Sequence, residues 1–243
     1  MNRGRMKAQV KALLSDQDPD AAVRTLCRWP RKKVLNALFS FLYSGDEHLK
    51  WRAVTAMAAV VARLADEDME SARVIVRRLM WNLNDESGGI GWGSPEALGE
   101  ILARHEGLAR EYGAILVSYA RQDGNFQEDE RMQRGVLWGL GRLAQERPEW
   151  LQEVIPHLPL FLHSADPAVR AHAARLAGML GPGPYIDALK RLTSDEAQVH
   201  VWIDKSLKSY RVKDLAMAAL RQGESCSIKV SGFSVQESPT PDT

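Results

Sequence analysis

The stretch Asp166-Pro167-Ala168-Val169-Arg170-Ala171-His172-Ala173-Ala174 reads as a helix start. An Asp side chain there accepts a backbone N–H that has no partner inside the helix. Pro167 has no N–H to lose at the first helical position. Behind this start, Val169, Ala173, Leu176 and Leu180 recur at helical spacing. Asp18-Pro19 and Ser94-Pro95 carry the same signal, while Gly45, Gly124, Gly181 and Gly223 mark stops.

Nearly every other segment carries an apolar stripe of helical period. Val34, Leu35, Leu38 and Leu42 form one; Val54, Met57, Val61 and Leu64 another; Val136, Leu137, Leu140 and Leu143 a third. Strict period-2 alternation is not found before residue 224, so no sheet is expected in residues 1–221. The short alternating run Ser227–Ser231 lies in a polar segment, 223–243, containing Pro239 and Pro241. That segment is expected to be a disordered or loosely docked tail.

The helices repeat. Paired helices joined by short turns recur about every 36–44 residues, and Arg52, Arg134 and Arg170 mark the second helix of successive units. Ser94-Pro95-Glu96-Ala97 fills the matching slot between the first two. A lone helix pair cannot bury its apolar face, so such units stack, with a groove lined by the second helices. Trp51, Trp138, His172 and Trp202 are expected on or near those helices.

The Asp166–Ala174 segment resembles the D-P-x-V-R-x-x-A-A signature of HEAT repeats, including the HEAT-like repeats of phycobilisome lyase type. The resemblance covers residues 15–221 as periodicity and 166–180 as a motif. It implies an all-α fold over residues 1–222, a right-handed α-solenoid of about six helix pairs. It also implies that the arginines are structural rungs linking successive repeats, with Asp46, Glu130 and Asp166 as candidate acids. Most such solenoids bind proteins rather than catalyse reactions.

Composition narrows the function. Of 243 residues, 45% are apolar, enough to exclude disorder in the bulk of the chain. No run of about 18 apolar residues exists to span a membrane. The basic start is not followed by an apolar segment, so no signal peptide is expected, and two cysteines at opposite ends make a disulfide framework improbable. These features predict a cytoplasmic protein. Net charge is +1 overall; residues 1–33 carry +6, the tail −2, and the middle −3. That balance disfavours nucleic acid as partner. The six histidines form no metal-ligand motif, and His105-Glu106 stands as a single His-Glu dipeptide where HEAT-fold di-iron hydroxylases carry several. No cofactor, metal or catalytic residue is predicted. Cys27 reads as a buried structural thiol, and Trp29, Trp51, Trp81, Trp138 and Trp202 as core-filling residues on helices.

One segment departs from the repeat: Asp85-Glu86-Ser87-Gly88-Gly89-Ile90-Gly91-Trp92-Gly93-Ser94-Pro95-Glu96. Turns between paired helices need two to eight residues; this one is longer and holds four glycines around a tryptophan. No Lys follows the glycines, so it is not a phosphate loop of Walker type. Two readings stand side by side: a long turn with Trp92 folded back into the stack, or a partner pocket floored by Trp92 and bordered by Glu96 and Glu100. The second gives the candidate partner-binding set Trp92, Glu96, Glu100, Asp85, Glu86 and Trp138. The sequence therefore predicts a non-catalytic scaffold that binds a protein partner through its concave face and segment 85–96. The alternatives are a HEAT-like alkylpurine DNA glycosylase, for which Trp92, Trp138 and Glu96 would be offered, and small-ligand binding at the glycine-rich loop.

Overall fold

The computed structural model describes residues 3–84 and 91–230. Among these residues, twelve α-helices stack in two layers. One layer holds α1 (Arg3–Leu14), α3 (Arg31–Leu42), α5 (Met69–Leu83), α7 (Glu106–Ser118), a 3₁₀ segment (Pro148–His157) running into α9 (Leu158–Leu162), and α11 (Ile186–Leu192). The other holds α2 (Pro19–Leu26), α4 (Glu47–Glu67), α6 (Ser94–Arg104), α8 (Glu130–Glu146), α10 (Pro167–Leu180) and α12 (Val212–Val230). Successive members of this second layer pack on one another. The result is an all-α solenoid of paired helices.

The caps act largely as the sequence indicates. Asp18, Asp46, Asp68, Asp129 and Asp166 each cap a helix, Asp166 accepting from the Val169 N–H at 2.9 Å. Ser94 is an exception. The cap of α6 is Gly93, at φ 76°, with no side-chain hydrogen bond. Glycine is required there twice over: the conformation is left-handed, and a Cβ would lie 2.4 Å from the Leu42 carbonyl oxygen.

Helix α6 is buried from Ser94 to Ala103 because it lies between α4 and α8 with α5 and α7 behind it. Its approach to α8 is backbone to backbone: a Cβ on Gly99 would stand 2.2 Å from the Gly139 Cα.

The arginine rungs are more varied than the expected ladder. Arg134 pairs bidentately with Asp166 of the next repeat, and Arg170 with Asp195 at 2.7 Å. Arg52 meets no carboxylate among the described residues; it donates to the carbonyls of Leu14 and Asp16. Glu130 is in no rung, and Asp46 is spent as a cap. The three arginines stand four, five and six residues after their caps, at 166, 129 and 46 respectively, so their side chains leave the helix in different directions.

The larger correction is a hairpin. Residues expected to be wholly helical contain β1 (Gln198–Ile203) and β2 (Ser206–Arg211), antiparallel, with Ile203 opposite Ser206 and Gln198 opposite Arg211. The turn residues Asp204 and Lys205 both take positive φ, 51° and 59°. Two-residue turns of this hand favour Asn-Gly, and Asp-Lys carries no such signal. Trp202 is therefore on a strand. Helix α12 continues to Val230; residues 231–243 lie outside the described residues.

Candidate functional site

Because each second-layer helix follows an antiparallel partner, α4, α6, α8 and α10 run parallel and begin along one edge of the groove. Contacts between first turns follow: Lys50 with Glu96, Glu96 against Gly135, Arg134 with Asp166.

The hairpin crosses this groove. Three tryptophans fix it: the Trp51 ring centroid lies 4.6 Å from that of Trp138 and 5.9 Å from that of Trp202. Trp138 Nε1 donates to the Trp202 carbonyl at 3.0 Å. At the hairpin tip Lys205 reaches Asp20 of α2 at 2.6 Å, joining the last repeat to the first. On that side the hairpin nearly fills the groove, leaving a void of about 20 Å³. On the other side a cleft of about 580 Å³ stays open, between β1 and the starts of α4, α6, α8 and α10.

Trp92 stands at the rim of this cleft, 39% exposed, with the Arg131 guanidinium over its ring at 4.7 Å. Arg131 has no acidic partner among the described residues. Inside, Lys50 lies over Trp51 and donates to Glu96 Oε1 at 2.8 Å. Glu96 is 5% exposed and its second oxygen has no hydrogen-bond partner among the described residues; neither does His172 Nδ1, also buried. An unpartnered buried polar atom is costly, and both of these residues line the cleft. Burial, with the charges of Arg175, Lys50 and Arg134 nearby, depresses the His172 pKa to about 3, so its imidazole is neutral. Burial would raise the Asp166 carboxyl, but hydrogen bonds from Arg134 and the Val169 N–H outweigh it and hold it below the usual range. The Arg134–Asp166 pair thus stays charged.

The six sequence-derived candidates separate. Trp92 and Glu96 line the cleft. Glu100 does not: buried, it accepts from Arg104 Nε at 2.8 Å and Arg142 Nε at 2.6 Å, so both oxygens are used in a clamp between α6 and α8. Trp138 is 3% exposed and presents no face to a partner. Asp85 and Glu86 lie outside the described residues. Nothing local in the sequence marks Lys50, Arg131, His172 and His200 as neighbours; only folding brings their four elements to one cleft. Among the described residues no three His, Cys, Asp or Glu side chains are grouped to hold a metal ion. Cys27 is buried, and burial pushes its thiol pKa up, away from thiolate reactivity. Trp81, expected in the core, is 74% exposed.

Comparison with known proteins bears on the fold. No family model matches the chain. An uncharacterised protein of Archaeoglobus fulgidus is 32% identical over 112 residues, which cover 44% of this chain and 52% of that protein. The chain thus spans about half the length of this curated relative. Among solved structures, an engineered protein aligns over 93% of this chain and 98% of its own, at 18% identity and TM-score 0.52. A designed armadillo repeat protein in complex with the peptide (KR)4 aligns over 88% and 98%, at 18% identity and TM-score 0.50. Two packed helical layers and these likenesses together give the chain the fold of an α-helical repeat solenoid, similar to that of the designed armadillo repeat protein.

Proposed function

We propose that this chain is a non-catalytic HEAT-like scaffold that receives a segment of a protein partner in the cleft beside Trp92. The observation that carries the reading is the cleft itself: about 580 Å³ on the groove face, with an aromatic rim residue, Trp92, backed by a cation. Binding hot spots are typically such aromatic or arginine anchors, ringed by polar groups. The designed armadillo protein holds a basic peptide; here the rim charge without an acidic partner among the described residues is Arg131, which suits an acidic one.

The hairpin weighs against a DNA-processing reading. Trp138, which that reading would need exposed on the groove face, is buried beneath the hairpin. The test is selection of random twelve-residue peptides displayed on phage against the full chain, followed by titration of the recovered peptides. Trp92→Ala should weaken them by about 2 kcal/mol or more. Equal affinity for wild type and variant would overturn the reading.

A further inference from the structure

We propose that the outer edge of β1 adds an extended segment of the partner as a third strand, and that an acidic side chain of that segment meets Arg131. This rests on the cleft being a partner site.

The hairpin register decides which backbone groups of β1 are free. In an antiparallel pair, alternate residues aim both backbone groups at the partner strand, and the residues between them aim both away. Ile203 and Ser206 flank the two-residue turn and close the ladder. Counting back by twos, Val201, Val199 and Ala197 point towards β2. The Val212 N–H donates to the Ala197 carbonyl at 3.0 Å, which fixes this parity independently. Residues 202, 200 and 198 must therefore point outward. The Trp202 carbonyl confirms it by accepting from Trp138 on the far side from β2. That indole closes the edge at Trp202. It leaves the N–H and C=O of His200 and of Gln198, four groups with no hydrogen-bond partner among the described residues.

These groups face the cleft: Gln198, Val199 and His200 form its wall on the hairpin side. An exposed strand edge is a template for another chain, and main-chain pairing of this kind gives affinity while side-chain pockets give specificity. The charge comes from the opposite wall. Lys50 is paired with Glu96 and Arg134 with Asp166, whereas Arg131 has Trp92 and no acid among the described residues. The α6 start that opens into the same cleft already carries Glu96 in its first turn, so the preference for an anionic group comes from Arg131.

The experiment uses the full chain and synthetic ten-residue peptides of alternating Thr and Val. One set carries a single Glu at each position in turn, the other a Lys, and binding is read by fluorescence anisotropy. The Glu set should bind and the Lys set should not. His200→Pro removes one outward N–H without touching the β2 ladder, since proline is tolerated where the N–H faces away from the sheet. It should weaken binding about tenfold or more, and clearly more than His200→Ala, which loses the cleft-lining side chain but keeps the N–H. If His200→Pro unfolds the hairpin, backbone N-methylation of the peptide decides instead: blocking should alternate residue by residue. Binding lost in Trp92→Ala but unchanged in His200→Pro, or N-methylation without alternation, would overturn strand addition and leave the cleft reading standing. Binding indifferent to both variants would overturn both. Lys peptides binding as well as Glu peptides would overturn the acidic partner.

Discussion

The Trp202 ring lies parallel to that of Trp51, their planes within 2° and their centroids 5.9 Å apart. One residue comes from a strand near the end of the chain and the other from the second repeat. In an ordinary solenoid each repeat touches only its neighbours; this stack ties distant repeats together and makes the hairpin part of the groove wall. Trp202→Ala should cost about 3–5 kcal/mol, as for other large buried aromatics, and free the hairpin. Lys205→Ala, which breaks only the exposed tip contact with Asp20, should cost less than about 1 kcal/mol. Urea unfolding gives both values, and hydrogen exchange at 198–211 shows whether the hairpin is released. Unchanged protection in Trp202→Ala would contradict the role given to the stack.

The arginine–aspartate pairs differ in burial, and so should their energies. Arg170 and Asp195 are about one-sixth exposed, and Arg170 also serves the carbonyls of Ser164 and Ala165. Its removal leaves a half-buried carboxylate and open carbonyls. Arg170→Ala is expected to destabilise by about 2–4 kcal/mol. Arg24 pairs with Asp18 at 3.8 Å with both side chains more than 60% exposed, so Arg24→Ala should change stability by less than about 0.5 kcal/mol. Similar costs for the two variants would show that the rung geometry is not what stabilises the stack.

Glycine substitutions should divide by position. Gly93→Ala meets both a positive φ and the Leu42 carbonyl, and is expected to cost about 2 kcal/mol or more. At Gly141, inside α8, a Cβ would have nothing within 4 Å of it. Gly141→Ala should therefore stabilise by about 0.5–1 kcal/mol through helix propensity and reduced unfolded-state freedom. Thermal melts of the two variants should move in opposite directions.

His172 gives a pH dependence with a definite sign. Its folded pKa, about 3, lies below the ordinary 6.5, so the unfolded chain takes up the proton first. The stability is complete above pH about 6.5 and is lost as pH falls from there towards 3, by up to about 1.4 kcal/mol per pH unit. Asp166, held below its ordinary 3.8, contributes to the loss only at lower pH. Melting temperature should decline between pH 6.5 and about 4.5 in the wild type, and more shallowly in His172→Leu. Parallel profiles would mean that His172 is not the group responsible.

The helices and their pairing are legible in the amino-acid order alone. Those signals are local: a cap such as Asp166, a proline such as Pro167, and apolar residues three and four apart act within one or two turns. Trp92 and Glu96 are legible too, since four glycines around one tryptophan are visible without any contact. The remaining features come from packing. Glu96 and Glu100 are one turn apart and alike in sequence, yet Glu100 is consumed by Arg104 and Arg142 while Glu96 faces the cleft, because the two neighbouring arginines lie level with one and not the other. The hairpin escapes a sequence reading for a related reason. Its turn, Asp204-Lys205, lacks the glycine that normally permits positive φ, and it is held by partners far away in the chain: Trp51, Trp138 and Asp20. Preferences written within a few residues can be read from sequence; a conformation stabilised by contacts 64 or 185 residues distant emerges only when the solenoid brings them together.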